Sequence, residues 1–277
     1  MIKPDAAVLD GRPLDEPWII DRGLHYGDGL FETMRIRDGR IRFVALHRER
    51  LQRGCTRLRI TADVDDCFAE AQALAHGVAS AMLKLIVTRG SATARGYAPH
   101  GDEQPRRILL RYDDPATRDV KGGPGVDSEA ISLRTILGEN PQLAGLKHLN
   151  RLELVLARLE MHGSTAFEGL LCSSSGLVIS GTMSNMFIVA GNELLTPRLD
   201  RCGIAGVLRA VVLREAAGAG FAAREINVPQ SALATAEEIF LTNARIGVHP
   251  LVRLDGRALR TSEAITVLQQ RVAVLDV

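Results

Sequence analysis

Long apolar runs, paired cysteines and an excess of either charge are all missing from this 277-residue sequence. No stretch reaches the roughly 20 apolar residues of a membrane-crossing helix. The opening segment, MIKPDAAVLDGRP, carries acids and prolines where a signal peptide would need an apolar run. The 34 basic residues are balanced by 33 acidic ones, for a net charge of +1 at pH 7. That balance leaves no electrostatic case for nucleic acid or an anionic membrane surface as a partner. The four cysteines, Cys55, Cys67, Cys172 and Cys202, form no CxxC pair, and none lies near a histidine at metal-ligand spacing. They read as small buried hydrophobes in a reducing compartment. The expectation is a cytoplasmic protein without a metal site.

What is present is the profile of an ordinary globular protein, 46% hydrophobic and 24% charged. The length suits one large domain or two modest ones. Asp10-Gly11, Asp38-Gly39 and Asp255-Gly256 are flanked by alternating or apolar residues, which predicts β-hairpins. Periodicity predicts helices over 46–60, 149–161 and 206–217, and a last helix capped by Ser262. In the second of these, Leu149, Leu152, Leu156 and Leu159 share one face. Short strands are expected over 82–88, 107–112, 169–173, 177–180, 185–189, 194–196 and 237–243. The Pro-, Gly- and charge-rich stretch DDPATRDVKGGPG marks an interdomain linker, residues 114–125. The reading is α/β, with a small N-terminal domain (1–113) and a larger, strand-rich C-terminal one (126–277).

Four local patterns could carry chemistry. Lys147, in Leu146-Lys147-His148-Leu149-Asn150, precedes a helix among apolar neighbours. Partial desolvation there would free its amine as a nucleophile, although a solvated lysine at a helix start has the same spacing. Gly203, Ala205 and Gly206 lead into a helix, where free N–H groups and the positive dipole end suit a phosphate. Alone, a plain helix start explains them as well. Val87-Thr88-Arg89-Gly90, followed by Arg95-Gly96-Tyr97, could clamp a carboxylate or be a solvated surface loop. Arg50 lies one position before the stripe residue Leu51; by itself it suggests a salt bridge to Glu49 or to a neighbouring helix.

Taken in order, these signals resemble the fold-type IV pyridoxal-phosphate enzymes. That group includes branched-chain aminotransferases, D-amino-acid aminotransferases and aminodeoxychorismate lyases. The segment from Arg22 to Thr33 (RGLHYGDGLFET) is similar to the group's N-terminal signature. The resemblance implies a small N-terminal α/β domain, a larger pseudo-barrel C-terminal domain and a homodimer. It also implies pyridoxal 5′-phosphate joined to Lys147. Arg50 would hold the phosphate, with backbone N–H groups of Val207 and Leu208 and further contacts at Thr242 and Asn243. Within the group, three stretches favour the lyase: Gly145 to Glu153 (GLKHLNRLE), the Thr88–Tyr97 loop, and Phe31-Glu32-Thr33, which sets Thr33 beside the lysine. The implied activity is elimination of pyruvate from a small-molecule substrate, giving 4-aminobenzoate. Arg95 and Tyr97 are the candidates for a substrate carboxylate, with Tyr26 and Arg89 in the same set.

One position departs from the pattern. In Gly176 to Phe187 (GLVISGTMSNMF) the group usually has a glutamate where Ser180 stands. That carboxylate would keep the cofactor's ring nitrogen protonated. A neutral hydroxyl makes a weaker electron sink, unless another acid such as Glu168 substitutes. The rival expectations are a D-amino-acid or amine transaminase on the same scaffold, and a non-catalytic protein that has kept the fold.

Overall fold

A computed structural model of the chain describes residues 8–10, 12–13, 17–91, 96–113 and 128–275. The expected linker, 114–125, lies outside the described residues, as does Arg95. The chain divides into two compact units: Met1–Tyr112 with Lys147–Asn150, and Asp113–Leu146 with Arg151–Val277. The tetrapeptide Lys147–Asn150 thus belongs with the N-terminal unit although the segments on either side of it belong to the other.

In the first unit, β1 (Val8–Leu9) pairs with β2 (Arg12–Pro13), and the short helix α1 (Arg22–Tyr26) precedes a four-stranded sheet. The sheet order is β4 (Arg40–Ile41), β3 (Gly29–Arg37), β5 (Ser80–Thr88) and β6 (Arg106–Asp113). Helices α2 (Val44–Leu58) and α3 (Val64–Ala75) complete it. Strict alternation along β3 buries Leu30, Glu32, Met34 and Ile36. The Asp38-Gly39 hairpin forms as expected, with φ of 49° and 77°, the left-handed values that a tight two-residue turn needs.

The second unit holds two sheets. The six-stranded one runs β13 (Val228–Pro229), β9 (Leu177–Gly181), β8 (Glu168–Ser173), β7 (Glu129–Leu137), β16 (Arg253–Leu254) and β17 (Arg257–Ala258). The five-stranded one runs β12 (Ala222–Ile226), β11 (Glu193–Pro197), β10 (Asn185–Ala190), β14 (Glu238–Asn243) and β15 (Gly247–Pro250). Their helices are α4 (Leu152–Glu160), α5 (Val207–Glu215), α6 (Ala232–Thr235) and α7 (Glu263–Val274). The cross-strand partners Phe187 and Phe240 are fully buried and stack with centroids 4.9 Å apart.

Two expectations need adjustment. Ser262 stands at the N-cap of α7, but its hydroxyl makes no capping bond. The helix containing the leucine stripe starts at Leu152 rather than Leu149, and that stripe does not enter a core. Leu152 is 77% exposed, Leu156 57% and Leu159 63%, with Val155 beside them. Such a contiguous apolar face on a surface helix marks an interaction surface.

Truncating Phe187 to alanine removes half of the buried stacked pair and leaves a cavity. The expected loss is ~3–5 kcal/mol, read as a lower urea midpoint.

Candidate active site

The signature glycines of the first unit have steric reasons. Gly27 ends α1 at φ 64°, and a Cβ there would meet the Asn150 side chain. A Cβ on Gly29 would meet the Val87 carbonyl and Leu149. This clearance lets 147–149 lie along the edge of β3. The Phe31 N–H donates to the Lys147 carbonyl (2.9 Å), and the Leu149 N–H donates to the Gly29 carbonyl (3.0 Å). Leu30 and His148 form the antiparallel bridge between these two bonds. Lys147 is therefore placed by main-chain pairing, and its Nζ lies 4.2 Å from the centroid of the Phe31 ring.

Thr33 follows Phe31 on the same sheet face and is paired across the sheet with Lys84. Lys84 Nζ lies 5.3 Å from the same phenyl centroid. The chain has only four lysines, so two amines at one ring is a marked concentration. Sequence reasoning missed Lys84; its alternation with Met82 and Ile86 along β5 could have put it on the face of Thr33.

Behind this face lies a buried charged cluster. Arg50 donates from Nε (2.8 Å) and Nη2 (2.5 Å) to the two oxygens of Glu32, and His47 Nδ1 sits 2.6 Å from Glu32 Oε2. Arg50 is thus in a salt bridge, but its partner is Glu32 on β3 rather than Glu49. Burial raises the Glu32 pKa, and the charge and hydrogen bonds of Arg50, aided by His47, more than reverse that and bring it to about 2. Burial holds His47 below its ordinary value despite Glu32, so the ring is neutral at pH 7. With Nδ1 facing the carboxylate, Nε2 is the acceptor nitrogen; it is buried without a hydrogen-bond partner. An acid at a core-facing strand position requires a buried cation, and that was the available clue to Glu32.

A second acid organises the outer residues. Asp28 accepts from Arg22 Nε (2.9 Å) and from Arg89 Nε (2.7 Å) and Nη2 (3.0 Å). Burial raises its pKa, and the two guanidiniums more than offset this. Arg89 also donates to the carbonyls of Leu58 and Arg59 at the end of α2. Four of its five N–H groups are committed inside the unit, so the geometry gives Arg89 the work of bracing α2 and not of binding a substrate carboxylate. Tyr26 and Tyr97 meet edge to face at 5.2 Å, and Tyr97 is 82% exposed.

In the second unit, Gly206 caps α5 without a side-chain bond. The N–H groups of Val207 and Leu208, in the first turn, have no partner within the helix. Gly206 is required: a Cβ would fall 2.0 Å from Asn185 Oδ1. Asn185 in turn donates to the Ile204 carbonyl (2.9 Å) and so fixes the turn; sequence reasoning passed over it. Thr242, on β14 against α5, is fully buried with Oγ1 lacking a partner. An uncapped helix start and an unmatched buried hydroxyl fit a phosphate. The Asn243 side chain is used locally, accepting from Arg245 N and Ile246 N and donating to the Met183 carbonyl.

Ser180 is the penultimate residue of β9, opposite Leu171, and is buried. Glu168 does not stand in for the missing acid. Its carboxylate accepts from Gly169 N, Thr182 N, Thr182 Oγ1, Met183 N and Ser184 Oγ, holding the β9–β10 turn.

Residues 29–254 match the class IV amino-transferase family, and the chain belongs to it. It is 32% identical to an aminodeoxychorismate lyase of Vibrio harveyi, covering 88% of this chain and 89% of that one. It is 29% identical to a putative branched-chain-amino-acid aminotransferase of Methanocaldococcus jannaschii, over 92% and 90%. Among solved structures, 4-amino-4-deoxychorismate lyase from Pseudomonas aeruginosa superposes with a TM-score of 0.86 at 41% identity, covering 97% of this chain and 98% of that one. The family's cofactor is pyridoxal 5′-phosphate. The second unit's uncapped α5 start and unmatched Thr242 hydroxyl suit its phosphate, and the first unit's Lys147 amine suits its aldehyde.

Glu32 and His47 set a pH dependence. Both have folded pKa values below the ordinary ones, 6.5 for His47 and 4.5 for Glu32. Each therefore contributes stability above its ordinary value that is lost as pH falls toward the folded value. Urea midpoints should decline as pH drops below 6.5, then fall again from 4.5 toward 2, and His47→Gln should remove the first decline. At pH 7, Glu32→Ala leaves Arg50 buried without its carboxylate and should cost ~3–5 kcal/mol.

Proposed function

We propose that this chain is a 4-amino-4-deoxychorismate lyase, which eliminates pyruvate and leaves 4-aminobenzoate. The observation that carries the reading is the Lys147 amine held on the Phe31 ring by main-chain pairing. It occurs in a chain 41% identical over nearly its whole length to a protein described as that lyase. Bound pyridoxal phosphate supplies an aldehyde for an amine and a ring that draws electrons from the neighbouring carbon. Lys147 would hold it through its amine, and a free Lys147 Nζ would be the base that takes the proton at substrate ring carbon 4. The enolpyruvyl ether bond breaks, and a proton passes to the departing pyruvate. The two products together contain the atoms of the substrate, so no water or oxidant is consumed.

The other roles are read from the family resemblance together with where the residues lie. Arg50, the start of α5 and Thr242 serve the phosphate. Thr33 steers the Lys147 amine by a hydrogen bond. Lys84, paired across from Thr33, and Tyr97, with Tyr26 against it, serve the substrate's carboxylate and ring. Arg95 remains in that set from the sequence. The apolar face of α4 takes a second copy of the chain, making a homodimer. The protein works in a reducing compartment, where burial keeps its thiols inert: Cys55 is pushed up to about 12 and Cys202 to about 11.

Ser180 bears on the rival transaminase reading. Amino transfer relies on a well-stabilised carbanion in both half-reactions, whereas the elimination is helped by the aromatic product. A neutral partner for the ring nitrogen penalises amino transfer more.

Incubation with aminodeoxychorismate should give 4-aminobenzoate and pyruvate in equal amounts, and faster amino transfer from D-alanine would refute the lyase reading. Lys147→Ala should abolish turnover and the cofactor's visible absorbance together. Leu156→Glu on α4 should convert a sedimenting dimer to monomer; a wild-type protein that is monomeric at micromolar concentration would overturn that assignment.

A further inference from the structure

Residues 96–105 follow β5 as a loop without regular structure, yet Arg22 ties it down. Arg22 is only 3% exposed. Its Nη2 donates to the Tyr97 carbonyl (2.5 Å) and its Nη1 to the Gly96 carbonyl (3.3 Å). Its Nε donates to Asp28. The guanidinium carbon also lies 5.1 Å from the centroid of Tyr26, the ring against which Tyr97 packs. Farther along the loop, buried Glu103 accepts from His100 N (2.8 Å) and Gly101 N (3.0 Å), closing it on itself. Asp28 binds Arg22 on one side and Arg89 on the other, and Arg89 holds the end of α2, the helix that carries Arg50. Both the exposed ring of Tyr97 and the helix of Arg50 are thus referred to one carboxylate.

We propose that Arg22, oriented by Asp28, is a positioning residue that sets the Tyr97 loop for substrate recognition. The assignment rests on Tyr97 serving the substrate, as argued above. Arg22 touches no reacting atom. It fixes two consecutive carbonyls with one planar fork, a job that a lysine ammonium cannot reproduce. The surface so held, two tyrosine rings with a guanidinium against that of Tyr26, suits a cyclic, anionic substrate.

The test uses the cofactor-loaded enzyme with Arg22→Lys and Arg22→Gln, the first keeping the charge beside Asp28 and the second keeping a neutral donor. Hydrogen exchange of peptides covering 96–105 should accelerate about tenfold, as His100 and Gly101 amides lose the closed loop. KM for aminodeoxychorismate should rise about tenfold while kcat moves less than threefold. Cofactor absorbance should be unchanged. Unaltered exchange and KM in either folded variant would overturn the proposal, as would a fall in kcat at constant KM. If the wild-type enzyme fails to turn over aminodeoxychorismate, the lyase reading fails by itself. The exchange measurement then decides the role of Arg22: faster exchange supports it and unchanged exchange refutes it. Should both variants fail to fold, Tyr26→Leu, which removes the ring that both the Arg22 guanidinium and the Tyr97 ring pack against, must raise loop exchange for the proposal to stand.

Discussion

Two hydrogen bonds along the edge of β3 determine where the Lys147 side chain sits. Phe31 N to Lys147 O and Leu149 N to Gly29 O make the lysine segment an extra, very short strand of the N-terminal sheet. Main-chain pairing is indifferent to side-chain rotamers, so the backbone that carries the Lys147 amine inherits the rigidity of the sheet. The glycines of the signature serve this pairing by clearance. At Gly29 any side chain would collide with β5 or with Leu149 itself.

A sheet face fitted with cations then needs acids behind it, and the first unit supplies one per region. Glu32 faces the core among Leu30, Met34 and Ile36, where an isolated carboxylate would be expensive. It is tolerable only because Arg50 and His47 converge on it from α2. Asp28 does the same for Arg22 and Arg89 at the start of the strand. These pairs are therefore geometric devices more than sources of net stability. Each fixes the direction of a guanidinium whose free position would be spread over many rotamers.

Much of this could be read from the sequence, and the remainder could not, for identifiable reasons. Local rules served the Asp-Gly hairpins and the strands β5, β8, β9, β10 and β14, because turn chemistry and alternation act within a few residues. The resemblance brought Lys147, Arg50, Val207, Leu208 and Thr242 forward as a set. Spacing offered no route to the Arg50 partner, because Glu32 is 18 residues away on another element. Proximity in sequence suggested Glu49 instead. The leucine stripe of α4 defined an apolar face correctly, but periodicity is silent on what that face meets. Arg89 and Asn243 are the opposite case: motif residues whose side chains are occupied by α2 and by a turn.

Glu168 sharpens the meaning of Ser180. The two residues are near in the fold, since β8 and β9 are paired, and an acid beside a hydroxyl could restore a lost charge. Its bonds are taken up elsewhere, by Gly169 N and by the main chain and hydroxyls of Thr182, Met183 and Ser184, with Arg158 3.7 Å away. Turning it toward Ser180 would leave those buried donors unmet, each costing ~1–3 kcal/mol. The turn it holds leads directly into Asn185, which fixes the Gly206 start of α5. Its carboxylate is thus tied, through that turn and Asn185, to the start of α5. No acid of this turn is therefore free to restore a charge at position 180, and under the proposed lyase reading a neutral partner there hinders least a chemistry whose product gains aromatic stabilisation.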